Sequence, residues 1–238
     1  MGSIAMGPII RRLGALLLVL GVAAVAWAIV VWRWQDPFTA LYTKWEQHRL
    51  ADQYERSARG FRAPSLHGVS LADVERRIAA EAQRYRTSAK RGHAIGRIKV
   101  PRLGLNMIVV DGTDHDSLTK GPGRDRRSYM PGENRLVYIA GHRTTFLAPF
   151  AHIERLRRGD LVTLEVPYGT FEYRITRHRI VDANDLSVLR SPDHEQLELQ
   201  ACHPRFFASQ RYIAYARLAK VHAGGSTFAV SGGTLAAD

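Results

Sequence analysis

The sequence has one cysteine, Cys202, among its 238 residues. An intramolecular disulfide is therefore excluded, together with every small fold that depends on a disulfide framework. The chain has no Cys-x-x-Cys pair, and its histidines lack metal-ligand spacing around Cys202, so we predict neither a metal site nor a cofactor. It also has no internal repeats, which excludes repeat architectures.

Acidic residues are few, 22 against 34 lysines and arginines, which gives a formal net charge of +12. Nucleic acid, an anionic membrane surface and an acidic wall polymer are all partners that such a charge would suit. We favour the simpler interpretation, an arginine-rich solvated surface. Nucleic acid is excluded as a partner by the export predicted next.

Charge is missing altogether from residues 13–32, which are dominated by Leu, Val, Ala and Ile. A helix of about 20 residues matches a hydrocarbon core of roughly 30 Å. We therefore predict a transmembrane anchor over residues 13–34. Arg11 and Arg12 precede it, so residues 1–12 are expected to be cytoplasmic and everything after the anchor extracellular, at the cell membrane.

A cleaved signal peptide is the alternative, because Ala26-Trp27-Ala28 resembles a small-x-small cleavage site. The apolar run is longer than the usual h-region, which favours a retained anchor.

Residues 35–93 have the pattern of a helical stalk. Asp36-Pro37 has the composition of a helix start, and the first helix is expected over residues 38–59. A second helix is predicted from Ser70 or Leu71 to Ser88, because Ser70-x-x-Asp73 has capping-box spacing.

From Ala94 onward the hydrophobic period changes to two, which predicts strands. The expected strands cover residues 95–100, 105–110, 135–140, 161–166, 170–181, 197–201 and 212–219. Many short strands separated by turn residues favour a closed barrel or a sandwich. Residues 223–238 are rich in Gly, Ser, Thr and Ala, and we expect a flexible tail.

An exported single cysteine is a reactive thiol, an intermolecular disulfide partner or an inert core residue. Strand alternation places Leu197, Leu199 and Ala201 on one face, and Cys202 on the opposite face with polar residues. This favours a reactive thiol.

A nearby imidazolium or guanidinium would promote the thiolate, and His142 and Arg211 are the candidates. His203 is adjacent to the thiol in sequence but should point away from it, so we assign it a conformational or hydrogen-bonding role.

Several motifs in a fixed order resemble the sortases, the cysteine transpeptidases of Gram-positive bacteria, most closely the class E housekeeping type of actinobacteria. The resemblance covers about half of the chain. The motifs are Ile95-Gly-Arg-Ile-Lys-Val-Pro101, Leu118-Thr-Lys-Gly-Pro-Gly123, Met130-Pro-Gly132, Ile139-Ala-Gly-His-Arg-Thr-Thr145, Ala148-Pro-Phe150, Cys202-His-Pro-Arg205 and Gln210-Arg211.

This resemblance implies a mainly β fold, a closed eight-stranded β-barrel with short helices, over residues 94–222. It implies that Cys202, His142 and Arg211 are catalytic. Thr144, Ala201 and His203 are the implied substrate-binding residues. The implied partners are C-terminal sorting signals of the LPXTG or LAXTG kind on secreted proteins, cleaved between Thr and Gly, and an amine of the peptidoglycan precursor.

The sequence departs from the family pattern at two places. Sortases commonly have Thr-Leu-x-Thr-Cys at the nucleophile, whereas Glu198 and Ala201 occupy the threonine positions here. Class E members often have His after Gly-Pro-Gly, where this chain has Arg124.

Three alternative functions stay open at this point. A pilus-polymerising sortase is suggested by Asp36-Pro37-Phe38, which resembles the lid of that class. A non-catalytic barrel that binds the cell wall would leave the thiol unreactive. A papain-like protease would place its cysteine on a helix ahead of the histidine, the reverse of the order found here.

Overall fold

The chain begins with three helices, and its structure is known from a computed structural model that describes residues 6–34, 37–61, 66 and 69–237. The helices are α1 (Met6–Trp34), α2 (Pro37–Arg59) and α3 (Leu71–Ser88). Within α1, Ile10–Val30 is a continuous run of 21 residues with a mean hydropathy of 2.6, and none of it is buried. Its length and composition are those of a membrane anchor.

The helix starts follow from local chemistry where they are described. Ser70 caps α3: its Oγ accepts a hydrogen bond from the Asp73 amide at 3.2 Å and donates one to the Asp73 carboxylate at 2.6 Å. The predicted cap at Ser70 is therefore confirmed, but the carboxylate of Asp73 bonds the Ser70 hydroxyl instead of the Ser70 backbone amide that a capping box uses. Asp36, expected to start α2, lies outside the described residues, as does most of the predicted turn between α2 and α3.

A closed β-barrel follows the helices, and all seven expected strands are present in it. The strands are β1 (Ala94–Val100), β2 (Leu105–Asp111), β3 (Gly123–Arg124), β4 (Leu136–Ala140), β5 (Leu161–Val166), β6 (Gly169–Asp182), β7 (Gln196–His203), β8 (Gln210–Ala223), β9 (Ser226–Ser231) and β10 (Thr234–Ala237). Their order in the sheet is β10-β9-β8-β6-β5-β1-β2-β3-β4-β7, and pairing of β7 with β8 closes eight of them into a barrel. The predicted fold is confirmed.

Short helices occupy the connections. They are α4 (His115–Leu118) and the 3₁₀ helices Pro101–Leu103, Ile153–Arg155 and Leu186–Leu189. The third 3₁₀ helix lies in the loop between β6 and β7, which covers part of the outer barrel surface and buries Val188 against it.

The main core fills the barrel and extends to one helix. Alternate residues of β5 are buried, as expected for a strand with one face toward a core. Val74, Ile78 and Ala82 of α3 belong to the same buried cluster as the barrel interior.

The two helices of the predicted stalk, α2 and α3, pack on the barrel. Leu50 and Tyr54 of α2 form a buried cluster with Ile108 and Val110 of β2. Burial against the barrel removes from water these two residues of α2 and the apolar stripe of α3.

The predicted flexible tail is wrong, because residues 226–237 form the antiparallel hairpin β9–β10. Strand β9 pairs with β8, placing Phe228 opposite Val221. The Leu235 amide donates a hydrogen bond to the Glu75 carboxylate of α3 at 2.5 Å. Low local propensity is overcome here by ladder hydrogen bonds and by burial of Phe228.

Candidate active site

The thiol is on β7, whose neighbours in the sheet are β4 and β8. Strands β4 and β7 are parallel, with Ala140 opposite Gln200, and the Gly141 amide donates to the Gln200 oxygen at 3.0 Å. Cys202 comes two residues after Gln200 in β7, and His142 comes two residues after Ala140, just past the end of β4. Neighbouring strands lie about 4.8 Å apart, so this pairing places the backbone of the histidine beside that of the cysteine.

Arg211 lies on the other side of the thiol. It is the direct partner of Cys202 in the antiparallel β7–β8 ladder. Cys202 and Arg211 are therefore paired on β7 and β8, and His142 follows the end of β4 on the other side of β7. The three catalytic residues implied by the sequence are brought together, although 60 residues separate the histidine from the cysteine.

The thiol is partly exposed and unpaired. Leu197, Leu199 and Ala201, on the opposite face of β7, are fully buried in the barrel core. The alternation predicted from sequence is therefore confirmed, and the inert-core interpretation of Cys202 is wrong.

The imidazole of His142 is half-enclosed and short of partners. Burial, and secondarily the charge of His115, lower its pKa below the ordinary value of 6.5. Its Nε2 is buried and makes no hydrogen bond to any described residue. The Phe146 ring lies 5.0 Å from the imidazole, centroid to centroid. At neutral pH the neutral ring is favoured, and it has a nitrogen free to exchange a proton with a ligand or with the thiol.

The guanidinium of Arg211 is oriented by the loop that precedes it. Its Nη1 donates to the backbone oxygens of Ala208 at 2.7 Å and Gln210 at 2.9 Å. Within the described part of the chain, its other nitrogens have no hydrogen-bond partner. The side chain is partly exposed, so these N–H groups are available to a ligand that reaches Cys202.

Arg143 is a site residue for which sequence reasoning gave no role. Only 6 % of it is exposed, and its Nη1 donates to the Cys202 backbone oxygen at 3.1 Å and lies 3.0 Å from His203 Nδ1. Its Nη2 donates to Glu154 at 2.8 Å. The residue after the histidine thus fixes the end of the strand that carries the thiol. Its position next to His142 is the one feature of the sequence that could have identified Arg143 as a site residue.

The loop after His142 is held in an unusual conformation. Phe146, Leu147 and Ala148 have φ values of 53, 59 and 37°, in the left-handed region that costs non-glycine residues energy. The Phe150 amide donates to the His142 oxygen at 3.1 Å, and the Phe146 amide donates to Thr39 Oγ1 of α2 at 3.1 Å. Barrel and helix together therefore fix the backbone beside the imidazole.

The three substrate-binding residues implied by the resemblance have different surroundings. Thr144 is partly exposed in the loop after His142. His203 is partly exposed and accepts from Arg143, which fits its expected hydrogen-bonding role. Ala201 is fully buried on the core face of β7, where its methyl group packs in the barrel. Its assignment to substrate binding stays a prediction.

Both departures from the sortase pattern are buried. Glu198 is 2 % exposed on the thiol face of β7; burial raises its pKa to about 7, and it accepts from Gln196 at 2.7 Å. Arg124 is 2 % exposed, and its Nε donates to the Asp111 carboxylate at 3.1 Å. Arg124 is therefore a structural ion-pair partner.

The described residues offer no cluster of side chains that would bind a metal ion. Among residues 6–34, 37–61, 66 and 69–237, no group of three or more His, Cys, Asp or Glu side chains is placed to hold an ion.

Comparison with known proteins identifies the family. Residues 98–219 match the Sortase domain model. The chain therefore belongs to the sortase family, a family of cysteine transpeptidases.

Relatives come from several sortase classes. Sortase D of Bacillus subtilis (strain 168) is 36% identical over 130 residues, 53% of this chain and 64% of that protein. Sortase A of Listeria monocytogenes is 24% identical over 126 residues, 53% of this chain and 57% of that protein. The chain thus spans just under two thirds of the curated relatives it matches.

Solved structures share the fold. Sortase E from Streptomyces avermitilis superposes with a TM-score of 0.51 at 29% identity, covering 56% of this chain and 93% of that one. A Sortase D5 transpeptidase from Clostridium perfringens gives 0.58 at 23% identity, covering 73% and 98%.

Proposed function

We propose that this chain is a membrane-anchored transpeptidase that joins secreted proteins to the cell wall. The observation that carries the proposal is the grouping of three residues at one edge of the barrel: Cys202 on β7, its ladder partner Arg211 on β8, and His142 just after β4, which pairs with β7. In the first step the Cys202 sulfur attacks the carbonyl carbon of Thr in an LPXTG- or LAXTG-like sorting signal. The Thr–Gly bond then breaks and leaves a thioester on Cys202.

His142 moves the protons in both halves of the reaction. A thiolate–imidazolium pair forms in a minor fraction of molecules, consistent with the lowered pKa of the imidazole. The imidazolium protonates the leaving Gly amine, and the neutral ring later accepts a proton from the incoming amine. Attack by that amine forms an amide and returns the sulfur to its starting state.

Arg211 stabilises the negative charge that develops on the carbonyl oxygen. This charge is present in the tetrahedral transition state and absent from the bound peptide, so a fixed cation there lowers the barrier to reaction. The carbonyls of Ala208 and Gln210 pre-orient the guanidinium, which reduces the cost of positioning it.

The topology, the acyl acceptor and the class are assigned from the resemblance to sortases. We infer that α1 spans the cell membrane once, with residues 1–12 cytoplasmic and the barrel outside. The acyl acceptor is an amine of the peptidoglycan precursor. We infer class E from the motifs quoted in the sequence analysis. The lid of a pilus-polymerising enzyme is not favoured, because Phe38 lies in α2 with its ring 5.5 Å from Trp27 of α1.

The test is peptide turnover by the full chain in detergent or vesicles. We expect peptides of the LPXTG and LAXTG types to be cut between Thr and Gly, and a new amide to form when an amine is supplied. Cys202→Ala should abolish both products, and His142→Ala should reduce them by at least about 10²-fold. His48→Ala, at an exposed histidine of α2, is the matched control. A chain that turns over neither peptide, with a thiol that alkylates no faster than a free cysteine, would contradict the proposal.

A further inference from the structure

Helix α2 has an exposed apolar face that the barrel does not cover. Phe38, Leu41, Tyr42 and Trp45 follow the spacing i, i+3, i+4 and i+7, which places them on one side of the helix. Their exposed fractions lie between 42 and 73 %. We call these four residues the α2 stripe.

The opposite side of α2 is fixed to the barrel, so the helix cannot rotate to bury the stripe. Thr43 Oγ1 donates to the Thr119 oxygen at 2.7 Å. The side chain of Gln47 accepts from the Ile108 amide at 2.7 Å and donates to the Ile108 oxygen at 3.0 Å. The stripe therefore faces away from the barrel, with its four side chains exposed.

Helix α1, which precedes α2, indicates what contacts the α2 stripe. The apolar span of α1 ends at Val30, eight positions before Phe38. Eight residues reach at most about 29 Å even when fully extended. The contact is much shorter, because the Phe38 ring lies 5.5 Å from Trp27, which belongs to the span itself. The start of α2 is therefore level with one end of the membrane-spanning segment.

The chemistry of the stripe fits a lipid headgroup layer. Tyr and Trp favour the interface, where part of the ring is in lipid and the polar edge is in water. Lys44 and Arg49 lie on either side of Trp45 in sequence, and the Arg49 guanidinium lies 4.6 Å above the Trp45 ring. Basic side chains beside an apolar face are attracted to anionic phospholipid.

We propose that the first two turns of α2 lie in the bilayer interface, with the α2 stripe inserted among phospholipid headgroups and upper acyl chains. This inference rests on the anchoring role of α1 in the proposed function. It assigns the membrane as the partner of this face, in preference to a second copy of the chain.

Such docking places the active site at the membrane surface. Thr39, on the first turn of α2, accepts the hydrogen bond from the Phe146 amide, and the Phe146 ring lies against His142. The bilayer-bound helix thereby holds the loop that carries the catalytic histidine. Substrates attached to the same membrane would meet the site without the barrel having to tilt.

Spin-label accessibility in vesicles of phosphatidylglycerol and phosphatidylcholine tests the proposal on the full chain. With Cys202→Ser, no native thiol remains, so a nitroxide can be attached at one introduced cysteine. Leu41→Cys reports on the stripe. Asp52→Cys is the matched control, because it is exposed on the same side of α2 three turns later. Val19→Cys reports on the anchor.

The expected result is that the label at position 41 is accessible to oxygen and protected from a water-soluble nickel chelate, as at position 19. Position 52 should show the reverse, with an oxygen-to-nickel ratio several-fold lower. A water-exposed label at 41 with a lipid-exposed label at 19 would overturn the docking of α2 and leave the anchor intact. Spin–spin broadening at position 41 would show that the stripe contacts a second copy of the chain. A water-exposed label at position 19 would contradict both the membrane anchor and the docking of α2. Peptide turnover, measured separately on the chain with Cys202, reports on the catalytic proposal alone.

Discussion

The guanidinium of Arg143 donates a hydrogen bond to the backbone oxygen of Cys202 at 3.1 Å. The residue that follows His142 therefore fixes the strand end that carries the proposed nucleophile. Glu154 holds the same guanidinium from the other side at 2.8 Å. One buried side chain thus links the two segments whose relative position the reaction depends on.

Replacing Arg143 with Gln should lower turnover more than it lowers peptide binding. The variant loses the ion pair with Glu154 and weakens the hold on the Cys202 carbonyl, so the sulfur is less well placed for attack. We expect kcat to fall by about tenfold or more with little change in KM. Steady-state kinetics on a sorting-signal peptide give both constants. Arg155→Gln, at an exposed arginine of the neighbouring 3₁₀ helix, is the control, and equal losses in the two variants would contradict the positioning role.

Alkylation of Cys202 should depend on pH through His142. Burial and the charge of His115 lower the pKa of the imidazole, so one inflection is expected below pH 6.5. His115→Gln removes the second cause and should move that inflection to higher pH. His142→Gln should abolish it. The rate of iodoacetamide labelling, followed by mass spectrometry, measures all three chains, and an inflection that His115→Gln leaves in place would show that the second histidine is uninvolved.

Glu198 should make the barrel less stable as pH rises. Burial raises the pKa of its carboxyl to about 7 from an unfolded value of 4.5, so the folded chain holds a proton that the unfolded chain has lost. The free energy of unfolding should therefore fall between about pH 4.5 and pH 7, by about 3 kcal/mol for this group.

Glu198→Gln should remove that share of the pH dependence. Glu195 has a pKa raised to about 7 by burial as well, so part of the dependence remains in the variant. Thermal unfolding in detergent across this pH range is the measurement. Glu55→Gln, at an exposed position of α2, is the control. A variant with the same slope as the parent would show that Glu198 is ionised in the folded protein.

Gly141→Ala should disturb the active-site loop through a steric clash. A Cβ at this position would lie 2.7 Å from Phe150 Cδ2 and 2.9 Å from Pro149 Cγ. Overpacking of this kind costs about 1–3 kcal/mol, and here it would displace the neighbouring His142. We expect a lower melting temperature together with reduced peptide turnover. Gly60→Ala, whose Cβ would have no contact under 3.7 Å, should change neither.

Features that depend on neighbouring residues along the chain were predictable. The two-residue period gave seven of the strands, and Ser70 and Asp73 marked the start of α3. The same period turned Cys202 away from the core, since alternation along a strand is fixed by backbone geometry.

Features that depend on contacts between distant parts of the chain could not be predicted from the sequence. The two-residue strand β3 exists because it pairs with both β2 and β4. The hairpin β9–β10 forms from a Gly- and Ser-rich segment because β8 and α3 supply hydrogen-bond partners. Glu198 is on the face expected to be polar and exposed, yet the loop between β6 and β7 covers that part of β7.

The sequence by itself determined the N-terminal apolar helix, the alternation of strands, the family motifs and the identity of the candidate nucleophile, because each is local in the chain. Only the tertiary structure decided which residues meet Cys202. The β4–β7 and β7–β8 registers bring His142 and Arg211 to its two sides, and they also bring Arg143 to its carbonyl. Strand register is set by long-range pairing and by burial of one face, so it is a property of the folded barrel and is not determined by any short segment of sequence.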